Sequence, residues 1–369
     1  MPVIDLHEDA FGSSTITKLE IFQEYLEAWL PVWAKTPGYR EVAIFDFFAG
    51  PGTDIDGALG SPLRILETIN KYRAFFAESQ LKANVHLNEL DSDKFQSLRS
   101  FVDENISRLS LRAFVNPIFY NEKFEDLFPR VKNIIGAIPT LLFIDQNGVK
   151  QIPPAVFREL CQFSKTDFLF FISSAYFKRF ADDPSFSSIL PTLDKNLLKA
   201  AKPYSVHSLL VEAYKKMIPS DCDMKLHQFT LRKDKNYYGL VFGAKHPLAV
   251  DKYLEIAWRK NSTTGDADFD LEEVAGIAQG NLFDGFKRTK LEQFAIDLED
   301  YVLQQGETTN KEIYDYCSEK GFRGSHGKEV LLRLKKEGKV SYESKQPCIT
   351  YGKCYRENVT IQIQKTGRT

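Results

Sequence analysis

The sequence predicts an α/β protein: a mostly parallel sheet covered by helices on both faces, followed by a smaller, mainly helical domain. Three observations carry this. Short apolar runs alternate with segments of helical period from residue 15 to about residue 173, the pattern of right-handed βαβ units. Those runs are continuously apolar, as strands buried on both faces must be. From about residue 289 the pattern changes to three short helical segments and a basic tail.

Thr15 to about Trp33 places Ile16, Leu19, Phe22, Tyr25, Leu26 and Trp29 at helical spacing, with Ser14 or Thr15 as cap. Pro31 predicts an end or a kink there. Glu41 to Phe47 is a short buried strand, and residues 61–77 return to helical spacing. NVHLNEL (84–90) is the second strand, and DSDKFQSLRSFVDEN is its helix, capped by Asp91. A third strand lies near residues 117–120, ahead of the helical FEDLFPRVKNII. TLLFID (140–145) is the fourth strand, PPAVFRELCQF a helix with proline near its first turn, and DFLFFIS (167–173) the fifth strand. Residues 174–223 read as mixed helix and loop. MKLHQFTLRK and YYGLVFGAKH form an antiparallel pair finishing the sheet, and AVDKYLEIAWRK follows as a helix. The first domain is thus expected over residues 1–260 and a Gly- and Asp-rich linker over 261–288. LEQFAIDLEDYVLQQ, TNKEIYDYCSEKG and GKEVLLRLKKEGKVSYE give three helices and a strand, and NVTIQIQ a second strand. This is the order of a winged helix-turn-helix, expected over 289–369.

The chain has 369 residues, 43% hydrophobic and 27% charged, an ordinary globular balance. Its 29 Phe and 16 Tyr predict an aromatic-rich core. A net charge of −2 excludes a molecule that attracts nucleic acid over its whole surface. The five cysteines are odd in number and contain no CxxC, against a disulfide framework or a zinc site. No run approaches the roughly 20 apolar residues of a membrane span. A soluble, cytoplasmic protein without membrane contact is expected.

Chemistry concentrates at the end of the first strand. Asp46-Phe47-Phe48-Ala49-Gly50-Pro51-Gly52 fits D-x-F-x-G-x-G, where open α/β sheets bind ligands. Glycine lets the backbone turn tightly and approach a ligand. A complete dinucleotide fingerprint is missing, because Ile55 stands three residues after Gly52. The acids Asp54 and Asp56 would repel phosphate, so a phosphate-poor nucleoside such as S-adenosylmethionine fits better than NAD or ATP. A plain βα turn is the other reading. Glu89, at the end of the second strand, is placed to accept ribose hydroxyls. Asn121, after the third strand, is either a contact to the adenine edge or a solvated turn residue. Asp145-Gln146-Asn147-Gly148 follows the fourth strand, where amino-methyltransferases hold Asp or Asn, then Pro-Pro and an aromatic. Carbonyls there orient a target amine toward the sulfonium methyl, and positioning is most of what methyl transfer needs. Asp145 and Asn147 are the candidate catalytic residues, an Asn-Gly turn being the alternative, and Pro-Pro-aromatic is not present.

Residues 15–22 (TITKLEIF) with Tyr25-Leu26, then DFFAGPG, Gly60-Ser61-Pro62-Leu63, Asp145-x-x-Gly148, and Tyr238 to Leu248 together resemble the three-Cys-motif partner family. The resemblance spans roughly residues 14–260. It implies a bacterial protein with a Rossmann-like class I methyltransferase fold, a mostly parallel seven-stranded sheet. It also implies a gene neighbour that is a three-cysteine, radical-enzyme-like protein. It places Lys18 and Ser61 near the pocket, beside Asp46, Phe48, Gly50, Gly52, Glu89 and Asn121 as the expected cofactor residues.

From Arg323 to Arg356, nine Lys or Arg face three Glu. The excess falls on the third helix and wing, the parts that enter a groove and touch phosphate. Lys328, Arg333, Lys335 and Lys336 are the candidate DNA or RNA contacts, and Tyr342 and Tyr351 add stacking options. A packing or dimerising winged helix is the competing reading. The expected function is S-adenosylmethionine-dependent methylation of nucleic acid gripped by the winged helix. The alternatives are a degenerate scaffold working with the radical-type partner, and a cofactor-sensing DNA-binding protein.

Overall fold

The computed structural model describes residues 11–145, 152–174, 193, 195–202, 205–233, 236–269 and 288–366. The chain divides into two compact units, Met1–Lys245 and His246–Thr369.

In the first unit, α1 (Ser13–Lys35) leads into β1 (Glu41–Asp46), α2 (Ser61–Lys71), α3 (Arg73–Ser79) and β2 (Lys82–Asn88). Then come α4 (Ser92–Arg108), β3 (Val115–Tyr120), α5 (Phe124–Ala137), β4 (Thr140–Ile144), α6 (Pro154–Leu160) and β5 (Thr166–Ser173). α7 (Lys195–Ala200), α8 (Val206–Lys215), β6 (Lys225–Lys233) and β7 (Asn236–Ala244) complete it. The strand order is β3-β2-β1-β4-β5-β7-β6. β1 to β5 are parallel, and β7 runs antiparallel between β5 and β6. This is the Rossmann-like class I methyltransferase topology, with its switch point between β1 and β4.

Strand alternation sorts the two faces. Ala43, Phe45, Leu142 and Ile144 join the core that Phe124, Phe128, Phe157 and Tyr214 build on one side. Ile44 and Phe143 face α1, where Phe22 stacks on Phe143 with centroids 4.3 Å apart. By the same parity Asp46 and Asp145 turn toward α1. The buried stripe of α1 runs Ser14, Lys18, Phe22, Tyr25, Trp29, so a lysine occupies a core position at its first turns. Midway along the helix, Tyr25 Oη donates to Asp167 Oδ2 at 2.7 Å.

Two boundaries differ from expectation. α1 continues past Pro31 to Lys35, because Leu30 is buried, the rings of Trp29 and Trp33 pack, and Thr36 Oγ1 donates to Val32 O at 2.7 Å. The helical stretch after Ser61 breaks at Tyr72, whose N–H is shared between Thr68 O and Ile69 O.

In the second unit, α9 (Pro247–Lys260) precedes α10 (Lys290–Gln305), β8 (Glu307–Thr309), α11 (Asn310–Glu319), α12 (Gly324–Lys336), β9 (Val340–Ser341) and β10 (Gln362–Lys365). The small sheet has order β8-β10-β9, which with three helices is a winged helix-turn-helix. Reciprocal capping boxes, Thr289 with Glu292 and Thr309 with Glu312, start α10 and α11. α12 begins at Gly324 rather than after Gly327. A Cβ at Gly324 would stand 2.3 Å from Ile349 O, and one at Gly327 2.5 Å from Cys317 Sγ, so both glycines permit close packing.

The wing is anchored by one buried amide. Asn310 Nδ2 donates to Val359 O at 2.9 Å, and Ile361 N donates to Asn310 Oδ1 at 2.9 Å. The side chain takes the place of a strand partner, which is why residues 358–361 of the expected strand NVTIQIQ lie outside β10. Asn310→Ala would leave the half-buried Val359 carbonyl and Ile361 N–H without this partner. It is expected to cost the second unit about 3 kcal/mol, read as a lowered urea midpoint at unchanged slope.

Candidate functional site

At the switch point, Asp46 ends β1 and is 1% exposed. Its Oδ1 accepts the Phe48 N–H at 3.1 Å. Its Oδ2 is buried and makes no hydrogen bond of good geometry, although the Ser61 hydroxyl favours the charged form. Burial pushes the Asp46 carboxyl up to about 7, against Ser61 and the Phe48 N–H, with a further push from the charges of Asp145 and Glu89. Ser61 is the first residue of α2.

The glycine loop is tied to its neighbours from both sides. Ala49 N donates to Asn88 O at 2.9 Å, and Gly50 N to Glu89 Oε2 at 3.0 Å. Glu89 Oε1 accepts Asp91 N at 2.8 Å. Glu89 thus orders the loop, and its carboxylate oxygens keep lone pairs for a further donor. Gly50 has φ +62° and Gly52 φ +106°. A Cβ on Gly52 would lie 2.5 Å from Phe101 Cδ1 of α4. Phe48 is half-buried, its ring 5.8 Å from that of Phe124.

Residues 53–59 fold back on themselves, with Gly60 N bonded to Gly52 O at 2.9 Å. Asp54 is turned inward and accepts the N–H groups of Phe11 (2.6 Å), Asp56 (3.1 Å) and Ala58 (2.7 Å). Burial raises its carboxyl, but these backbone donors outweigh that and hold it below its ordinary value. Asp54 is therefore the clasp of its own loop, while Asp56 stays exposed. Ile55 stands 68% exposed on this loop and Leu90 56% exposed after β2, two exposed apolar side chains that the sequence reading did not single out.

Lys18 is 4% exposed. Its ammonium pairs with Asp145 Oδ2 and lies 4.7 Å from the centroid of Phe171. Asp145 Oδ1 is buried and, among the described residues, has no hydrogen-bond partner. Asn147 lies outside the described residues. Asn121 Nδ2 donates to Glu89 O at 2.7 Å and Leu90 O at 2.9 Å, so its amide nitrogen pins the β2 loop. Asn88, which sequence reasoning also missed, bridges the loops after β1 and β3 through Phe47 O, Glu122 O and Glu122 N. Its signal was a buried-strand register that ends in an amide.

In the winged helix the candidate cations divide. Arg333 and Lys339 share the carboxylate of Glu299, at 3.0 and 2.6 Å. Lys335 donates to Tyr342 O at 2.8 Å and Ser344 O at 3.2 Å, with Nζ 3.8 Å from the centroid of the Tyr342 ring. Tyr342 is itself 6% exposed, so its ring is not open for stacking. Lys328 is half-buried and Lys336 exposed. Among the described residues, no helix is long and apolar enough to cross a membrane, and no group of three or more His, Cys, Asp or Glu is set to hold a metal.

Residues 260–347 match the family model of the GMT-like wHTH domain. No curated protein matches the chain. Among solved structures, the chain is similar to Trm1 from Pyrococcus horikoshii in complex with S-adenosyl-L-methionine. The identity is 10% and the TM-score 0.35, over 67% of this chain and 59% of that one. It is also similar to the methyltransferase domain of bacterial CtHen1-C, at 10% identity and TM-score 0.30, over 61% of this chain and 100% of that one. A human methyltransferase 10 domain containing protein matches at 7% identity and TM-score 0.31, over 66% of this chain and 88% of that one. The chain thus covers under two thirds of the Trm1 structure.

Proposed function

We propose that this protein is an S-adenosylmethionine-dependent methyltransferase acting on nucleic acid that its winged helix grips. The observation that carries the reading is the charge at the switch point. Asp46 and Asp145 face the same helix, Glu89 adds its charge to theirs, and Lys18 is the buried cation among them. Such a mouth favours a cationic nucleoside and disfavours phosphate. Two buried carboxylate oxygens that make no hydrogen bond of good geometry among the described residues, Asp46 Oδ2 and Asp145 Oδ1, fit the same ligand class.

Bound there, the cofactor supplies an electrophilic methyl group on a cationic sulfur. The chain's own residues bind and orient. Gly50 and Gly52 let the backbone come close, Glu89 keeps lone pairs for ribose hydroxyls, and Asp46 Oδ2 accepts from an ammonium. Asp145 Oδ1 is placed to take an N–H of the acceptor and fix its lone pair.

On the winged helix, Lys328 and Lys336 are the preferred phosphate contacts, because Arg333 and Lys335 are engaged within the unit. Transfer of labelled methyl from the cofactor to total RNA, DNA and protein tests the whole reading. Label is expected in a nucleic-acid pool. The double variant Lys328→Glu, Lys336→Glu is expected to cut that label roughly tenfold or more at unchanged cofactor affinity, and to flatten the salt dependence of oligonucleotide binding by about two contacts. Label in no pool sinks the enzyme reading.

One observation favours a second reading. Lys18 already pairs with Asp145, the carboxylate an acceptor amine would use. On this view the unit binds cofactor without transferring the methyl. It then serves as scaffold to a three-cysteine radical-type enzyme, or as a cofactor-sensing DNA-binding protein. Cofactor binding without label transfer is its expected signature.

A further inference from the structure

We propose that Lys18 is an exchangeable cation shared by two carboxylates: that of Asp145 in the ligand-free protein, and the α-carboxylate of an amino-acid-bearing nucleoside once one binds. The inference rests on the cofactor reading above and adds an order of events to it.

Lys18 stands in the core stripe of α1 and is almost without solvent. A buried ammonium is tolerated only when paired. Among the described residues its hydrogen-bond partner is Asp145 Oδ2, and the face of Phe171 adds a cation–π contact. An ammonium has three donors. The pair is half-satisfied from the other side too, since Asp145 Oδ1 is buried and has no hydrogen-bond partner among the described residues. Asp54, by contrast, is saturated by backbone N–H groups and has no reason to let go. A half-satisfied buried pair gives little net stability, so a second anion can compete for the cation provided that Asp145 gains a new countercharge in exchange.

When an α-carboxylate takes the Lys18 ammonium, Asp145 is freed. Both of its oxygens then face the site, and the ligand's positive groups replace Lys18 as its countercharge. Asp145 becomes an acceptor-orienting carboxylate only after the nucleoside is in place. The ion pair that makes the site look blocked is thus a device that enforces nucleoside first, methyl acceptor second.

The test compares affinities of the full chain for S-adenosylmethionine and for decarboxylated S-adenosylmethionine, by calorimetry at one pH. The ratio between them isolates the carboxylate. In Lys18→Met the preference for the carboxylate-bearing ligand is expected to fall by roughly tenfold to a hundredfold relative to wild type. Lys18→Arg is expected to retain part of it. Asp145→Asn loosens the competing hold, so the preference is expected to rise severalfold. If Lys18→Met does not fold, the direction of change in Asp145→Asn decides alone. An unchanged ratio in Lys18→Met, or a lowered one in Asp145→Asn, overturns the proposal while binding itself leaves the cofactor reading standing. If wild type binds neither nucleoside, both fall together.

Discussion

Gly52→Ala is expected to lower the stability of the Met1–Lys245 unit by about 3 kcal/mol and to abolish nucleoside binding. Two costs add. At φ +106° an alanine is held in backbone space that L-residues rarely enter. Its Cβ would also sit 2.5 Å from Phe101 Cδ1, so α4 or the loop must move. The loop cannot move freely, because Gly60 N is bonded to Gly52 O and Gly50 N to Glu89. Gly57→Ala is the matched control. Its φ is +80°, but a Cβ there meets nothing within 4 Å, so only the backbone cost of about 1 kcal/mol remains. Urea midpoints of the two variants give the stability comparison. Equal midpoints would mean that contact with Phe101 has no weight.

Asp46 is expected to make both stability and ligand affinity depend on pH, with opposite signs. Its folded-state carboxyl is raised from 3.8 to about 7, chiefly by burial. The folded chain therefore holds a proton that the unfolded chain has lost, and stability from this group falls as pH rises between about 4 and 7. Asp167, also raised to about 7 by burial, against the hydrogen bond from Tyr25, contributes the same sign from the opposite end of the sheet. Asp46→Asn should thus reduce this slope, not remove it. A cationic ligand reverses the preference, because it favours the ionised carboxylate. Its affinity should climb by up to about tenfold per pH unit toward pH 7 and level off above. Asp46→Asn keeps the acceptor for the Phe48 N–H but not the charge. It is expected to flatten the pH curve and weaken binding by roughly a hundredfold at pH 8. A variant that binds like wild type at both ends of the range would refute the role.

The parallel sheet was legible because its strands are solid apolar runs, and the winged helix because its elements follow in a recognisable order. Strand parity even orients Asp46 and Asp145 toward α1. What could not be read was the fate of polar side chains. Asp54, Asn88, Asn121 and Asn310 spend their groups on backbone atoms, each reaching at least one that is dozens of residues away in sequence. Such bonds depend on how loops meet, which no local spacing encodes. The basic surplus of the last helix is likewise partly engaged inside the fold. Arg333, Lys335 and Lys339 count as charge in the sequence but are satisfied by Glu299 and the wing carbonyls in the fold. The continuation of α1 past Pro31 is a case of packing overriding a local breaker.

Everything proposed for the first unit depends on a cationic, phosphate-free nucleoside occupying the mouth formed by Asp46, Glu89, Asp145 and Lys18. The direct measurement is calorimetric titration of the full chain, near pH 8, with S-adenosylmethionine and, separately, with ATP and NAD. One-to-one binding of S-adenosylmethionine at micromolar strength, with no comparable heat from the phosphate-bearing ligands, is the expected result. No binding of S-adenosylmethionine, or tighter binding of ATP or NAD, would contradict it.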